Sequence, residues 1–338
     1  MLKDETRQKA TGISPVERLH ALVASDMAAT DRLIHERMGS AVVALIPDLA
    51  RHLIDSGGKR LRPLLTLAAA RLGGYQGGGH VRLAAAVEFI HTATLLHDDV
   101  VDESSLRRGK VCANIVWGNK PSVLVGDFLF SRAFQLMVET GSLTVLDILA
   151  GASAIIAEGE VLQLKSANNL GVTEEDYLRV VSAKTAALFA AAAESGAVVS
   201  AQNEARITAM RDYGRNLGIA FQLVDDALDY SGRQALMGKS VGDDFREAKV
   251  TLPVILAYAC ATEAAKKFWT RTIETGPQGE SDLDRAITLV EETGAISETM
   301  ARARRYADLA RQALMPLPDG EIRTVLADIA DFCVERAY

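Results

Sequence analysis

Two clusters of aspartate carry the strongest chemical signal in the chain. The first is Asp98, Asp99 and Asp102 in His97-Asp-Asp-Val-Val-Asp102, and the second is Asp225, Asp226 and Asp229 in Phe221-Gln-Leu-Val-Asp-Asp-Ala-Leu-Asp229. Each follows an apolar stretch with helical spacing, the first read as one helix from Ala84 to Glu103. Asp98 and Asp102 are then an i,i+4 pair on one helix face, close to the C-terminal end. Like charges so placed cost a few tenths of a kcal/mol, and the helix macrodipole adds to the penalty. A single acidic helix end is usually just solvated. Two of them facing one cavity would repel severely unless cations sat between. All-oxygen donors call for a hard cation, and Mg2+ bridging to phosphate oxygens suits them better than Ca2+, since the loop and central glycine of an EF-hand are missing.

Basic residues supply what a phosphate needs. Arg107 and Arg108 follow the first cluster, and an arginine fork can give a phosphate two donors at once. A second group, Gly57-Gly-Lys-Arg-Leu-Arg-Pro63 with Lys59 and Arg62, leads into a new helix at a turn whose backbone N–H groups also favour an anion. His91 lies seven residues before Asp98, on the same helix face and two turns deeper; it is read equally as a structural histidine or as a ligand. Lys184-Thr185 falls mid-helix in an alanine-rich stretch, and Lys239 and Lys249 flank a Gly-Asp-Asp. Single lysines are ordinarily solvated and add little by themselves.

The elements that must position these residues are helices. Apolar residues recur every three or four positions and alternating β-branched runs are rare, so the fold class is all-α. Turn residues at Asp55–Gly58, Gly73–Gly79, Glu139–Ser142, Asn168–Gly171, Ser231–Asp244, Gly276–Ser281 and Met315–Gly320 divide the chain into about a dozen helices, expected to bundle around a central cavity. Thr173 with Asp176 reads as a capping box that opens a helix toward Ser195. No break has linker composition, so residues 1–338 are expected to form one domain. The 338 residues are 49% hydrophobic and 24% charged, with a net charge of -7, a balance that suits a folded protein and disfavours a nucleic-acid partner. The N-terminal residues lack the apolar run of a secretory signal and no stretch reaches the roughly 18 apolar residues of a membrane span, so a cytoplasmic location is expected. Cys112, Cys260 and Cys333 suggest neither disulfides nor zinc.

Taken together, Gly58-Lys-Arg-Leu-Arg-Pro63, Leu95-Leu-His-Asp-Asp-Val-Val-Asp102 with Arg107-Arg108, Lys184-Thr185, and Phe221 to Asp229 with Gly238-Lys239 resemble the trans-polyprenyl diphosphate synthase family, most of all its octaprenyl and decaprenyl members. The resemblance runs in order from about Lys59 to Lys249, and the C-terminal quarter carries no motif. It implies a Mg2+-dependent condensation of isopentenyl diphosphate with an allylic prenyl diphosphate, giving a product that serves as a quinone side chain. By the same resemblance Asp98, Asp102 and Asp225 hold the metal, with Asp99, Asp226 and Asp229 in support. Arg107, Lys184, Lys239 and Lys249 contact the allylic diphosphate near Thr185 and Gln222, and Lys59, Arg62, His91 and Arg108 bind isopentenyl diphosphate. A homodimer is implied as well. The small residues Ala93 and Thr94, with Ile90 deeper and Phe128, Phe130 or Phe134 as a floor, are expected to set product length; related short-chain enzymes carry bulky aromatics at the level of Ala93 and Thr94. A long product, held at about 0.8 kcal/mol per buried methylene, is expected to leave slowly and with help from transient membrane contact. The rival readings are a terpene cyclase, disfavoured by the second Asp-Asp-x-x-Asp and only 5% aromatics, and a non-catalytic subunit, which would lack part of this set.

Overall fold

The structure, a computed structural model, describes residues 12–55, 57–107, 109–231 and 242–335. The helices in chain order are α1 (Pro15–Leu22), α2 (Ala24–Arg37), α3 (Leu45–Ile54), α4 (Leu61–Leu72), α5 (Gly79–Val101), α6 (Ala113–Trp117), α7 (Asn119–Val138), α8 (Leu143–Ser166), α9 (Glu174–Val181), α10 (Ala187–Val199), α11 (Glu204–Asp229), α12 (Asp243–Arg246), α13 (Leu252–Ala259), α14 (Glu263–Trp269), α15 (Asp282–Glu292), α16 (Ala295–Ala313) and α17 (Glu321–Glu335). Short π-helical turns follow α9 at Ser182–Ala186 and α14 at Thr270–Thr275. A two-stranded hairpin, β1 (Leu106–Arg107) against β2 (Lys110–Val111), pairs Leu106 with Val111 and Arg107 with Lys110. The all-α reading holds, but the helices outnumber the dozen expected. Breaks at Val23, Ser200–Asn203 and Gly294 carry too little turn composition to announce themselves.

Local signals start several helices as the sequence suggests. Ser14 with Glu17 forms a capping box ahead of Pro15, and Thr173 with Asp176 forms the expected one at α9. That helix does not run unbroken to Ser195, because the π turn intervenes.

The longest helices are α5, α7, α8 and α11. α5 packs most extensively on α7, and α11 on α16 and α10. Alanine-rich α10 lies between the two largest apolar clusters, giving Phe189 and Ala193 to one and Leu188 and Ala192 to the other. Its small side chains allow close approach: a Cβ added at Gly196 would stand 2.2 Å from the Thr66 carbonyl of α4. Among the described residues no helix is long and apolar enough to cross a membrane.

Candidate functional site

The first aspartate cluster closes α5, and its three carboxylates point three ways. Asp99 is buried and accepts a 2.6 Å hydrogen bond from Arg107 Nε, reached across the turn into β1. Burial works against the Arg107 charge, but Asp99 outweighs it and raises the guanidinium pKa. Asn114 of α6 seals the helix end by donating Nδ2 to the carbonyls of Asp99 (2.9 Å) and Ser104 (3.1 Å). Asp98, one residue back, lies 3.9 Å from Lys184 Nζ, and Asp102 accepts 2.9 Å from Lys249 Nζ. Burial pushes the Asp98 carboxyl up to about 7, Lys184 pulls the other way, and Glu160 and Asp102 add to the rise.

The second cluster ends α11. Asp226 is buried and receives hydrogen bonds from Tyr177 Oη at 2.5 Å and Gln222 Nε2 at 2.7 Å, while Gln222 Oε1 accepts from the Thr185 hydroxyl at 2.8 Å. Burial is the main cause that pushes Asp226 up to about 7, with Asp225 and Asp229 adding to it and the two donors opposing. Asp229 faces away from solvent and accepts three backbone N–H groups, from Gly242 and Asp243 at 3.2 Å each and from Asp244 at 3.0 Å. It therefore fastens α12 to the end of α11. Asp225 is half-buried beside them.

Lys184 and Thr185 lie in the π turn rather than in regular helix. A turn widened by one residue is common at functional sites, and here it fits against Gly159 of α8, where an added Cβ would stand 2.8 Å from Ala183 Cβ and 3.0 Å from Lys184 N. Lys184 Nζ reaches Glu160 at 2.9 Å. Lys249 is held between Asp102 and Glu247, the latter at 2.5 Å; burial opposes its charge, and those two acids overcome that and raise its pKa.

These groups wall a cavity of about 610 Å3 whose lining includes Asp102, Lys184, Thr185, Gln222, Asp226 and Lys249. The six aspartates thus do not all face one space. Asp102 and Asp226 line the cavity, Asp98 borders it through Lys184, and Asp99 and Asp229 turn into the protein. Among the described residues no three acidic, histidine or cysteine side chains are gathered closely enough to hold a cation by themselves.

A polyprenyl synthetase family model matches residues 43–290. The chain belongs to the polyprenyl synthetase family. It is a prenyltransferase, and its similarity to individual members extends over nearly its full length. It is 46% identical to octaprenyl diphosphate synthase of Escherichia coli over 95% of this chain and 99% of that one. Among solved structures it resembles a decaprenyl diphosphate synthase from Rhodobacter capsulatus (57% identity, TM-score 0.92, 96% of this chain and 99% of that one). It also resembles a polyprenyl synthase from Caulobacter crescentus complexed with calcium and isoprenyl diphosphate (55% identity, TM-score 0.92, 96% and 98%).

A second polar group of this family member lies where α4 meets α5. Arg62 Nη1 stands 3.2 Å from His91 Nε2, its guanidinium stacks 4.4 Å over the Phe189 ring, and Lys59 Nζ lies 5.2 Å over Phe332 of α17. His91 thus pairs with Arg62 across the contact between α4 and α5. Arg108 and Lys239 lie outside the described residues.

Phe134 is 40% exposed on the outer face of α7, so it is not enclosed within the single chain. Asp127, Ser131 and Gln135 recur at four-residue spacing on the exposed side of α7, and Phe134 lies beside them. Ala93 and Ile90 are wholly buried with Leu129 and Ala133 of α7, Thr94 donates its hydroxyl to the His91 carbonyl, and the cavity includes none of the three.

Sequence reasoning missed Tyr177, Glu160, Asp244, Glu247 and Asn114. Asp244 is the last residue of the Gly-Asp-Asp already noticed and Glu247 follows three residues later, but Tyr177 and Asp226 are 49 residues apart and no local pattern joins them. Tyr177→Phe is expected to lower kcat about tenfold, because Asp226 loses one of two buried hydrogen bonds that orient the cluster. Steady-state kinetics check this, and an unchanged kcat would remove Tyr177 from the site.

Proposed function

We propose that this protein is a long-chain all-trans polyprenyl diphosphate synthase, which extends an allylic diphosphate by repeated condensation with isopentenyl diphosphate to an octaprenyl or decaprenyl product, destined for a quinone. One observation carries the reading: a single cavity is walled by residues of both aspartate clusters and by the basic and amide side chains of Lys184, Lys249 and Gln222.

The donor set fits Mg2+. Asp98, Asp102 and Asp225 offer hard oxygen ligands, and burial is the main cause that raises the Asp98 pKa, with Glu160 and Asp102 adding to it, so a divalent cation there would favour the charged carboxylate. Bound there, Mg2+ supplies positive charge against the diphosphate oxygens. Lys184, Lys249 and Arg107 stabilise the negative charge that builds on the leaving diphosphate as the allylic C–O bond breaks and its electron pair departs with oxygen. Asp99 holds Arg107, and Asp226 and Asp229 hold the end of α11, so their part is support. Lys59, Arg62 and His91 fix isopentenyl diphosphate. Its double bond attacks the allylic carbocation to form the new C–C bond, and loss of a proton restores a double bond.

The reading extends to one domain spanning the chain, to a cytoplasmic homodimer and to transient membrane contact at product release. α7 and α8 expose Leu124, Val138, Leu143 and Val161 at 56–82%, an apolar face that a second copy would cover. A monomer by sedimentation equilibrium would remove the dimer. The whole reading is tested by incubation with labelled isopentenyl diphosphate, farnesyl diphosphate and Mg2+, with and without detergent, and products sized by chromatography. Elongation to long chains is expected, with multiple turnover hastened by detergent. No elongation overturns the function, and a detergent-independent rate overturns the slow-release element. Ala93→Phe is expected to shorten the product, and an unchanged product length would place the growing chain elsewhere than along this face of α5.

A further inference from the structure

Arg60 stands between the two residues proposed to grip isopentenyl diphosphate, yet it points the other way. Its backbone is left-handed (φ 45°, ψ 38°), a conformation that L residues avoid, and it follows Gly57 and Gly58, which also have positive φ. The side chain turns into the protein, only 18% exposed, where Nη1 lies 3.2 Å from Glu88 Oε1 and Nε lies 3.4 Å from Asp31 Oδ1. Glu88 is 13% exposed and sits three residues before His91 on α5, hence one turn away on adjoining faces. Arg60–Glu88 and Arg62–His91 are thus two successive rungs between the start of α4 and the middle of α5.

We propose that Arg60 is a positioning residue for the isopentenyl diphosphate site: its ion pairs with Glu88 and Asp31 hold the Gly57–Arg60 turn in its strained form and so direct Lys59 and Arg62 toward the diphosphate. The inference rests on the assignment of Lys59 and Arg62 made above. A left-handed arginine persists only where its surroundings overdetermine it, and two carboxylates on two different helices do so here. Glycine at position 60 would adopt the backbone freely but could not tether it, so the device depends on the guanidinium and its two carboxylate partners. An arginine can also answer two acids at fixed geometry, which a lysine cannot.

The test is steady-state kinetics of Arg60→Gln, Arg60→Lys, Glu88→Gln and, as reference, Arg62→Gln in the full-length enzyme, varying isopentenyl diphosphate and the allylic primer separately. Arg60→Gln and Glu88→Gln are expected to raise KM for isopentenyl diphosphate about fivefold to tenfold, as loss of a charge-assisted contact would, with kcat and the primer KM within about twofold. Arg60→Lys should recover part of the loss. Glu88→Gln leaves the turn itself untouched, so it remains informative if Arg60→Gln folds poorly. Raised KM in Arg62→Gln with no change in the Arg60 and Glu88 variants overturns the positioning role and leaves the site assignment standing. Both KM values and kcat worsening together would mark a general structural role and overturn it as well. No change in Arg62→Gln would overturn the site assignment, and this inference with it.

Discussion

Asp98→Asn is expected to lower kcat about a thousandfold and, in metal-free buffer near pH 8, to make the protein more stable than its parent. The first effect follows from removing a carboxylate proposed to bind the metal, where charge stabilisation dominates the barrier. The second follows from the site without its cation. The Asp98 side chain is 14% exposed, and its pKa is pushed from 3.8 up to about 7, first by burial and then by Glu160 and Asp102 against the pull of Lys184. Below about pH 4 the carboxyl is protonated in both folded and unfolded chains, so the substitution changes little. Between 4 and 7 the unfolded chain gives up the proton while the folded protein keeps it, and the parent loses stability as pH rises. Above 7 the penalty is complete, on the order of 2–4 kcal/mol. Denaturant titration at pH 4 and pH 8 in EDTA, alongside turnover with Mg2+, measures both effects. A kcat within tenfold of the parent would sink the ligand role, and equal stability at pH 8 would sink the argument from burial.

Asp229→Ala is expected to cost about a hundredfold in kcat, whereas Asp229→Asn should stay within about tenfold. Three amide N–H groups converge on this side chain, two of them on Oδ1. Asparagine can still present one oxygen to both; alanine leaves the Asp243 and Asp244 N–H groups without this acceptor, each at roughly 1–3 kcal/mol unless the segment rearranges, while the Gly242 N–H keeps the Asp229 backbone carbonyl at 3.0 Å. Rearrangement of α12 would carry Asp244, Glu247 and Lys249 with it, and Lys249 is the contact that joins this segment to Asp102 at the end of α5. A metal ligand would behave differently, since the neutral amide binds a divalent cation far more weakly than carboxylate does. Equal loss in the two variants, measured as kcat with saturating substrates, would return Asp229 to the metal.

Much of the site was legible before any fold was known, and the reasons are local. Asp98 and Asp102 share a helix face because 3.6 residues make a turn, and Thr173 with Asp176 starts a helix by chemistry contained within four residues. The readings that failed or fell short concerned what a helix meets. Phe134 stands beside the exposed polar stripe Asp127, Ser131 and Gln135, but its aromatic side chain suggested an inward position. Asp229 and Asp225 belong to one motif and look interchangeable in the sequence, yet one receives the backbone of the next helix and the other does not bury fully. The π turn at Ser182–Ala186 has no composition of its own; it arises where Gly159 of α8 lets two helices approach.

The paired aspartate clusters, the arginines and lysines around them and the helical class were therefore determined by the sequence alone, because residue type and spacing within one helix are enough to express them. Only the tertiary structure decided which carboxylate answers which cation: Asp99 takes Arg107, Asp98 faces Lys184, and Asp102 takes Lys249 from 147 residues away. Those pairings depend on how helices cross and on which faces are buried, and burial is the main cause that raises the Asp98 pKa. A carboxylate in water and one sealed behind α8 and α11 share a name in the sequence, but their protonation and their role differ because the surrounding protein has replaced the solvent.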